Sequence, residues 1–120
     1  MEVSDDSIVA LKNVTINEPF FQGHFPPPRR SIMPGTMLIE GMAQTSAILA
    51  MEQDQGAELG FLTGVDGARF RRPVTPGDQV IFEGNLEKFR KQISKTKVEA
   101  FVEDELVSEA EIILTNAKEG

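Results

Sequence analysis

The stretch TMLIEGMAQTSAILAMEQD, residues 36–54, constrains the fold of this chain more than any other segment. Its Met, Leu, Ala, Glu and Gln content favours helix, and the preceding Pro34-Gly35 marks the start of that helix. Apolar residues occupy almost every side of it, and a helix of this kind is normally buried. We therefore predict one long helix that the rest of the chain encloses.

Strand patterns lie on both sides of the predicted helix. Residues 7–16 form one predicted strand, and ELGFLTGVDGARFRRPV after Gly56 predicts one or two strands with a kink at VDGAR. TPGD, residues 75–78, has Pro and Gly at the central positions of a type II turn. Alternating apolar residues predict three further strands: Val80, Phe82, Gly84 and Leu86; Val98, Ala100 and Val102; and Leu106, Ala110, Ile112 and Leu114. The predicted fold class is α+β, a single domain over residues 1–120 in which a curved antiparallel sheet wraps one helix.

Composition excludes several classes of function. The net charge is −7 and the isoelectric point about 4.7, so neither nucleic acid nor an anionic membrane is an expected partner. There is no cysteine and one histidine, which argues against a metal centre built from these ligands. No apolar run reaches the length of a membrane span and no basic leader precedes an apolar core, so we expect a cytoplasmic protein.

Three polar residues lie inside the apolar helix. Thr36, Glu40 and Gln44 follow the spacing i, i+4 and i+8, which places them in one stripe on one face. We expect the carboxyl group of Glu40 to be enclosed by apolar neighbours, where it suits a general acid. The backbone N–H groups around Gly35 lack partners in the helix and carry the positive end of its dipole, so they suit a developing oxyanion.

The only histidine, His24, lies eleven residues before Gly35 in the proline-stiffened segment FFQGHFPPPRR. A base at His24, an acid at Glu40 and an oxyanion site at Gly35 together suit removal of a proton next to a carbonyl and loss of a β-hydroxyl group. That chemistry needs no metal and no organic cofactor. The competing interpretation is a buried structural histidine held by hydrogen bonds.

Three separated segments resemble one family. NEPFFQGHFP (residues 17–26), followed by MPGTMLIEGMAQ (33–44), closely resembles the signature of the β-hydroxyacyl-acyl-carrier-protein dehydratases of the FabZ type. GVDGARFRRPVTPGDQV (64–80) resembles the second conserved block of that family. The resemblance runs from about Val9 to the C-terminus.

The resemblance implies a hot-dog fold, in which an antiparallel sheet wraps a long central helix. It implies homodimers joined sheet edge to sheet edge, with active sites shared between subunits, and assembly of dimers into hexamers. The implied reaction converts a (3R)-hydroxyacyl thioester on acyl carrier protein into the trans-2-enoyl thioester in fatty acid biosynthesis.

The resemblance also implies roles for single residues. His24 matches the catalytic histidine, and Glu40, supplied by the other subunit, matches the catalytic acid. Gly35 matches the glycine whose N–H binds the thioester carbonyl, and Gln44 matches a positioning glutamine one turn after the acid. Glutamate at position 40 is similar to the plain dehydratases, whereas the relatives that also isomerise the double bond carry aspartate.

Aromatic and basic residues supply candidate substrate contacts. Phe25, with Phe20 and Phe21, lines an acyl channel in one interpretation and packs in the core in the other. Two basic clusters stand out on this acidic chain and suit a phosphopantetheine phosphate or an acidic carrier protein: Arg69, Arg71 and Arg72, and Lys88, Arg90 and Lys91. Solvated strand faces are the alternative explanation for these charges.

Two departures from the family pattern leave other functions open. The segment ahead of KNVTINEPF is shorter than the family's usual N-terminal segment, and GHFPPPRRSIMPG is longer than its usual link from histidine to helix. A shifted loop lowers turnover, because a displacement of about 1 Å can cost of order a hundredfold in rate. The alternatives are a non-catalytic acyl-thioester-binding or structural hot-dog subunit and a hot-dog acyl thioesterase.

Overall fold

The computed structural model describes residues 2–3, 6–13, 35–53 and 59–117. These residues form six strands and one helix. In chain order they are β1 (Glu2–Val3), β2 (Ser7–Asn13), α1 (Gly35–Gln53), β3 (Leu59–Phe70), β4 (Gln79–Arg90), β5 (Ile93–Val102) and β6 (Glu105–Ala117).

The strands form one antiparallel sheet in the order β1-β2-β4-β5-β6-β3. Helix α1 packs on one face of this sheet, which we call the inner face, and contacts β2 to β6. The predicted α+β class, with a single helix against an antiparallel sheet, is therefore confirmed. Within the described part of the chain, no helix is both long and apolar enough to cross a bilayer.

The core lies between α1 and the inner face. Alternate residues of β4, β5 and β6 point inward, as the period of two requires, and meet apolar residues of the helix. Leu38, Met42, Leu49 and Ala50 are the most buried apolar residues of α1. Each fully buried Val, Leu or Met side chain contributes about 1.5–3 kcal/mol through burial.

Two glycines allow close contacts, Gly41 between helix and sheet and Gly84 between the paired strands β4 and β2. A Cβ atom on Gly41 of α1 would lie 2.6 Å from Cζ of Phe82, and one on Gly84 of β4 would lie 2.9 Å from Cγ2 of Ile8. The group that Gly41 admits is the buried ring of Phe82.

The predicted type II turn is confirmed at Thr75–Asp78. Gly77 has a φ of 96°, and Asp78 N–H donates to the Thr75 carbonyl at 3.1 Å. The hairpins on either side of β5 turn at Lys91-Gln92 and Glu103-Asp104, and all four residues have positive φ, as a type I′ turn requires.

The strand predictions differ in outcome: one is untested in part, one is confirmed and one is wrong at a single residue. The first strand ends at Asn13, and residues 14–16 lie outside the described residues. The segment after the helix forms one strand, β3, whose register shifts between Asp66 and Arg69 confirm the predicted kink at VDGAR. The prediction that Leu106 shares a face with Ala110, Ile112 and Leu114 was wrong. A bulge opposite Ala100/Phe101 pairs Leu106 with Phe101 and gives the inner positions to Val107 and Ser108.

Candidate active site

One face of α1 is open to solvent and carries the predicted polar stripe. Thr36, Glu40 and Gln44, which we call the polar row, are all exposed. The sheet covers the opposite side of the helix, and within the described residues the polar row is where the first half of α1 presents hydrogen-bonding side chains outward. The expectation that Glu40 is enclosed was wrong for a single chain, because no described element packs over the polar row.

Glu40 and Gln44 are joined within the polar row. Gln44 Nε2 donates to Glu40 Oε1 at 3.0 Å, one helical turn away. A carboxylate has two oxygens, so this bond fixes the orientation of Glu40 without using all its hydrogen-bonding capacity. The structure therefore brings together two of the predicted site residues.

Gly35, the first residue of α1, lies beside the last residue of β3. A Cβ atom on Gly35 would lie 3.1 Å from both Cε1 and Cζ of Phe70. The first turn of the helix carries no acidic side chain, so its own residues do not offset the positive end of the dipole. The N–H end of α1 thus opens next to an aromatic ring.

A depression of about 450 Å³ lies at this helix end, and we call it the N-terminal pocket. Its lining consists of Gly35, Leu38, Phe70, Arg71, Arg72, Pro73 and Val74. Leu38 and Val74 are fully buried and form an apolar floor. An anionic oxygen at the helix end and an apolar chain on the floor would both be accommodated here.

The arginines of the first basic cluster brace the wall of the N-terminal pocket. Arg71 Nη2 lies 3.3 Å from Glu109 Oε2, and Arg72 Nε lies 3.2 Å from Glu105 Oε2. Both glutamates belong to β6, so the ion pairs fasten the segment after β3 to its neighbouring strand. These glutamates offset part of the charge of Arg71 and Arg72, which weakens the prediction that these two residues bind a phosphate.

The second basic cluster forms a separate groove of about 440 Å³ at the β4–β5 hairpin. Lys88, Arg90, Lys91 and Lys95 surround a floor that contains Ile93 and Ile113. We call this the basic groove. Ile93 is 47% exposed, so the groove offers apolar surface within a ring of cations. Sequence reasoning found three of the cations but not Lys95, whose position follows from the pairing of β4 with β5.

A carboxyl pair lies beside the basic groove on the face of the sheet away from α1. A hydrogen bond to Glu111 raises the pKa of Glu87, and burial and the Glu111 charge act in the same direction. The same hydrogen bond lowers the pKa of Glu111, with further lowering from Lys95, whose Nζ lies 3.4 Å from Glu111 Oε2. The pair therefore favours one shared proton.

His24 and Phe25, with Phe20 and Phe21, lie outside the described residues, so their roles stay predictions. Gly35, Glu40 and Gln44 lie on α1, and Gly35 and Glu40 are about 7.5 Å apart along the axis at 1.5 Å per residue. Within the described residues, no group of three or more acidic, histidine or cysteine side chains could hold a metal ion.

Sequence and structure comparisons bear on the family. The FabA-like domain matches residues 2–111. The 3-hydroxyacyl-[acyl-carrier-protein] dehydratase FabZ of Syntrophobacter fumaroxidans is 49% identical over 118 residues, which cover 96% of this chain and 78% of that protein. The FabZ of Polynucleobacter asymbioticus is 48% identical over 108 residues, which cover 89% of this chain and 71% of that protein.

Among solved structures, the dehydratase heterocomplex ApeI:P from Xenorhabdus doucetiae aligns with a TM-score of 0.81 over 99% of this chain and 80% of that chain. The sequence identity is 17%, so this likeness concerns the hot-dog fold alone. The fold and the two family signatures expected from the sequence are confirmed together. The chain belongs to the FabA-like domain family and, within it, to the 3-hydroxyacyl-[acyl-carrier-protein] dehydratases of the FabZ type.

Proposed function

We propose that this protein eliminates water from (3R)-hydroxyacyl thioesters on acyl carrier protein and yields trans-2-enoyl thioesters for fatty acid biosynthesis. Family membership supports this reaction. The observation that carries the proposal is Glu40, an exposed carboxyl group oriented by Gln44 on the helix that begins at Gly35. The apolar lining of the N-terminal pocket suits an acyl thioester beside that helix end.

The thioester carbonyl binds at the start of α1. Gly35 N–H donates to the carbonyl oxygen, where negative charge grows as the C2–H bond breaks. The positive end of the helix dipole favours that charge, and a preorganised donor of this kind is typically worth about 2.7–4 kcal/mol of barrier. Because Gly35 has no side chain, the thioester carbonyl oxygen can approach the backbone closely.

The elimination moves one proton from C2 and one proton to the leaving hydroxyl group. The His24 imidazole takes the C2 proton. The electron pair of the broken C2–H bond then forms the C2=C3 double bond. The C3–O bond breaks while the Glu40 carboxyl group gives its proton to the departing oxygen, which leaves as water. The electron pair of the C3–O bond departs with the oxygen, so the elimination involves no net oxidation or reduction. Proton transfer from the imidazolium to the Glu40 carboxylate then restores both groups.

Two subunits supply one site in this proposal. Glu40 is exposed in a single chain, so a neighbouring subunit has access to it. Strand β3 is a sheet edge twelve residues long with Phe61, Leu62 and Val65 exposed. Natural proteins seldom leave such an edge uncovered. A homodimer joined along β3 would bring His24 of one subunit to Glu40 of the other, and dimers would assemble further into hexamers.

The basic groove is the proposed docking surface for the carrier protein. The whole chain has a net charge of −7, which repels an acidic partner at most orientations. The cations at Lys88, Arg90 and Lys91 make the surface charge positive at the groove. They would steer an acidic partner to this place. Phe25 would then line the channel that receives the acyl chain.

The reaction is tested with a trans-2-enoyl thioester, whose absorbance falls on hydration in the reverse direction. Wild-type protein should show turnover, and both His24→Ala and Glu40→Gln should lose at least a hundredfold while circular dichroism stays unchanged. Release of free thiol is measured in the same samples, because it distinguishes thioesterase activity from hydration. Hydration absent from the wild type, or thiol release matching substrate loss, would refute the proposal.

A further inference from the structure

We infer that the ring of Phe70 is a positioning wall of the substrate site, which holds the thioester against the Gly35 N–H. The inference rests on the proposed role of Gly35. It adds a residue to the site that the sequence patterns did not single out.

The contact between Phe70 and Gly35 is direct. Three ring atoms of Phe70, Cε1, Cζ and Cδ1, lie 3.1, 3.1 and 3.4 Å from the position of a Cβ atom on Gly35. The first two distances are shorter than an ordinary carbon–carbon contact of about 3.5–4.0 Å. Only glycine at position 35 therefore leaves both the ring and the N–H end of the helix undisturbed.

The ring of Phe70 is not packed in the hydrophobic core. Phe70 is 52% exposed, although phenylalanine is usually buried, and the core residues Leu38 and Val74 lie below it in the N-terminal pocket. A large apolar side chain left half exposed beside a pocket gains burial when an apolar group enters. The acyl or pantetheine part of a thioester is such a group.

Hydrogen bonds hold the backbone around Phe70, so the point from which the ring projects is fixed. Phe70 pairs with Ser108 on β6, and the Ser108 hydroxyl donates to the Arg69 carbonyl at 2.8 Å. Arg71 N–H donates to the Val107 carbonyl at 2.7 Å. Hydrogen bonds on both sides of Phe70 thus lock the end of β3 to β6, and a wall of this kind limits the orientations of a bound carbonyl.

Phe61 provides a matched control. It lies on the same strand, β3, and is 49% exposed. It does not line the N-terminal pocket and is not among the neighbours of Gly35. A role of Phe70 that came only from covering the sheet edge would be shared by Phe61. A role in positioning the thioester would not be shared.

The test measures binding of a saturated acyl-pantetheine amide by calorimetry, because this compound has the carbonyl group but no hydroxyl to eliminate and no thioester to hydrolyse. Phe70→Leu and Phe70→Ala should weaken binding, the alanine variant on the order of tenfold, while Phe61→Leu leaves it within about twofold. Light scattering on each variant should report the same oligomer as the wild type. Equal effects of the Phe70 and Phe61 variants, loss of binding only with loss of the oligomer, or no binding by the wild type would overturn the inference.

A second-site variant tests the contact itself. Gly35→Ala should weaken binding because the new methyl group meets the ring, and Phe70→Ala added to the same chain should cost clearly less than it costs alone, because the ring is already displaced. Fully additive losses would contradict the wall. Since the amide reports binding alone, a wild type that binds it through Phe70 but hydrates no enoyl thioester would refute the proposed function and leave this inference standing.

Discussion

Gln44 Nε2 donates a hydrogen bond to Glu40 Oε1 at 3.0 Å across one turn of α1. This bond orients a carboxyl group that lies on the open face of an otherwise enclosed helix. The acid and its positioning group are thus built into one element, and the base reaches them from the segment around His24 in our proposal.

Replacing Gln44 by alanine should lower kcat by about tenfold, because Glu40 then samples orientations that do not reach the leaving hydroxyl group. The free energy of unfolding should change little, since the bond is exposed. Gln79→Ala is the control, because Gln79 also donates an exposed side-chain bond, to Asn13 Oδ1 at 3.2 Å. Equal kcat for the two variants would show that Gln44 has no positioning role.

Gly41→Ala should destabilise the fold. The new methyl group would lie 2.6 Å from the ring of Phe82, which is only 3% exposed and has little room to move. Overpacking of this kind costs about 1–3 kcal/mol, more than the gain of about 1 kcal/mol in helix propensity. Urea unfolding measures the loss, and Phe82→Leu in the same chain should recover part of it. A Gly41→Ala protein as stable as the wild type would contradict this packing.

Gln92→Gly should stabilise the protein by about 0.5–1 kcal/mol. Gln92 has a φ of 67° in the hairpin between β4 and β5, a conformation that glycine adopts without strain. Asp104→Gly, at the equivalent position of the next hairpin with a φ of 65°, should gain less, because aspartate tolerates this region better. Thermal midpoints of the two variants and the wild type measure both gains. A larger gain for Asp104→Gly than for Gln92→Gly would refute the prediction.

Stability should depend on the protonation of the Glu87–Glu111 pair. The raised pKa of Glu87 gives a contribution that is present below the ordinary carboxyl value of 4.5 and is lost as pH rises through the raised value. The lowered pKa of Glu111 gives a contribution that is present above 4.5 and is lost as pH falls through the lowered value. Once the pH has risen past the raised pKa of Glu87, both carboxyl groups are charged and repel each other.

Glu87→Gln keeps a donor toward Glu111 at every pH and removes this repulsion. The thermal midpoint of the variant should exceed that of the wild type at pH 7, and the difference should shrink toward pH 4, where Glu87 carries its own proton. Glu103→Gln, in the exposed turn before β6, is the control variant. A difference between Glu87→Gln and wild type that is constant over this range would contradict the shared proton.

Charge reversal in the basic groove should separate carrier docking from chemistry. Arg90→Glu combined with Lys91→Glu should raise KM for a carrier-linked substrate on the order of tenfold at low salt, because repulsion replaces attraction. KM for the same acyl group on free pantetheine should stay unchanged. A similar rise for both substrates would place the groove in the acyl site rather than on the docking surface.

The sequence was informative where one residue pattern extended over a whole segment. The nearly continuous apolar character of residues 36–54 predicted α1 to within a residue at each end, and Pro76-Gly77 predicted the turn before β4. Leu106 was misplaced because a bulge shifts the alternation by one residue, and nothing in the local pattern marks that shift. The exposure of Glu40 was missed because composition does not say which side of a helix the sheet leaves uncovered.

The site was predictable in part for the same reason. The i, i+4, i+8 spacing gave the polar row, and the segments around His24 and Gly35 carried the family signature. Phe70 was not singled out, because its role depends on where the end of β3 meets the start of α1, a distance set by the sheet order. Lys95 was missed because its position beside Lys88 and Ile113 depends on the register of β5 with β4 and β6.

The most direct test of the shared dehydratase site mixes two inactive subunits. His24→Ala and Glu40→Gln chains, co-expressed with different tags and purified as the mixed dimer, should hydrate an enoyl thioester at about half the wild-type rate, because one of the two symmetry-related sites then holds His24 and Glu40 together. Each variant alone should stay inactive. A mixed dimer no more active than either parent, beside an active wild type, would contradict a site built from His24 of one subunit and Glu40 of the other.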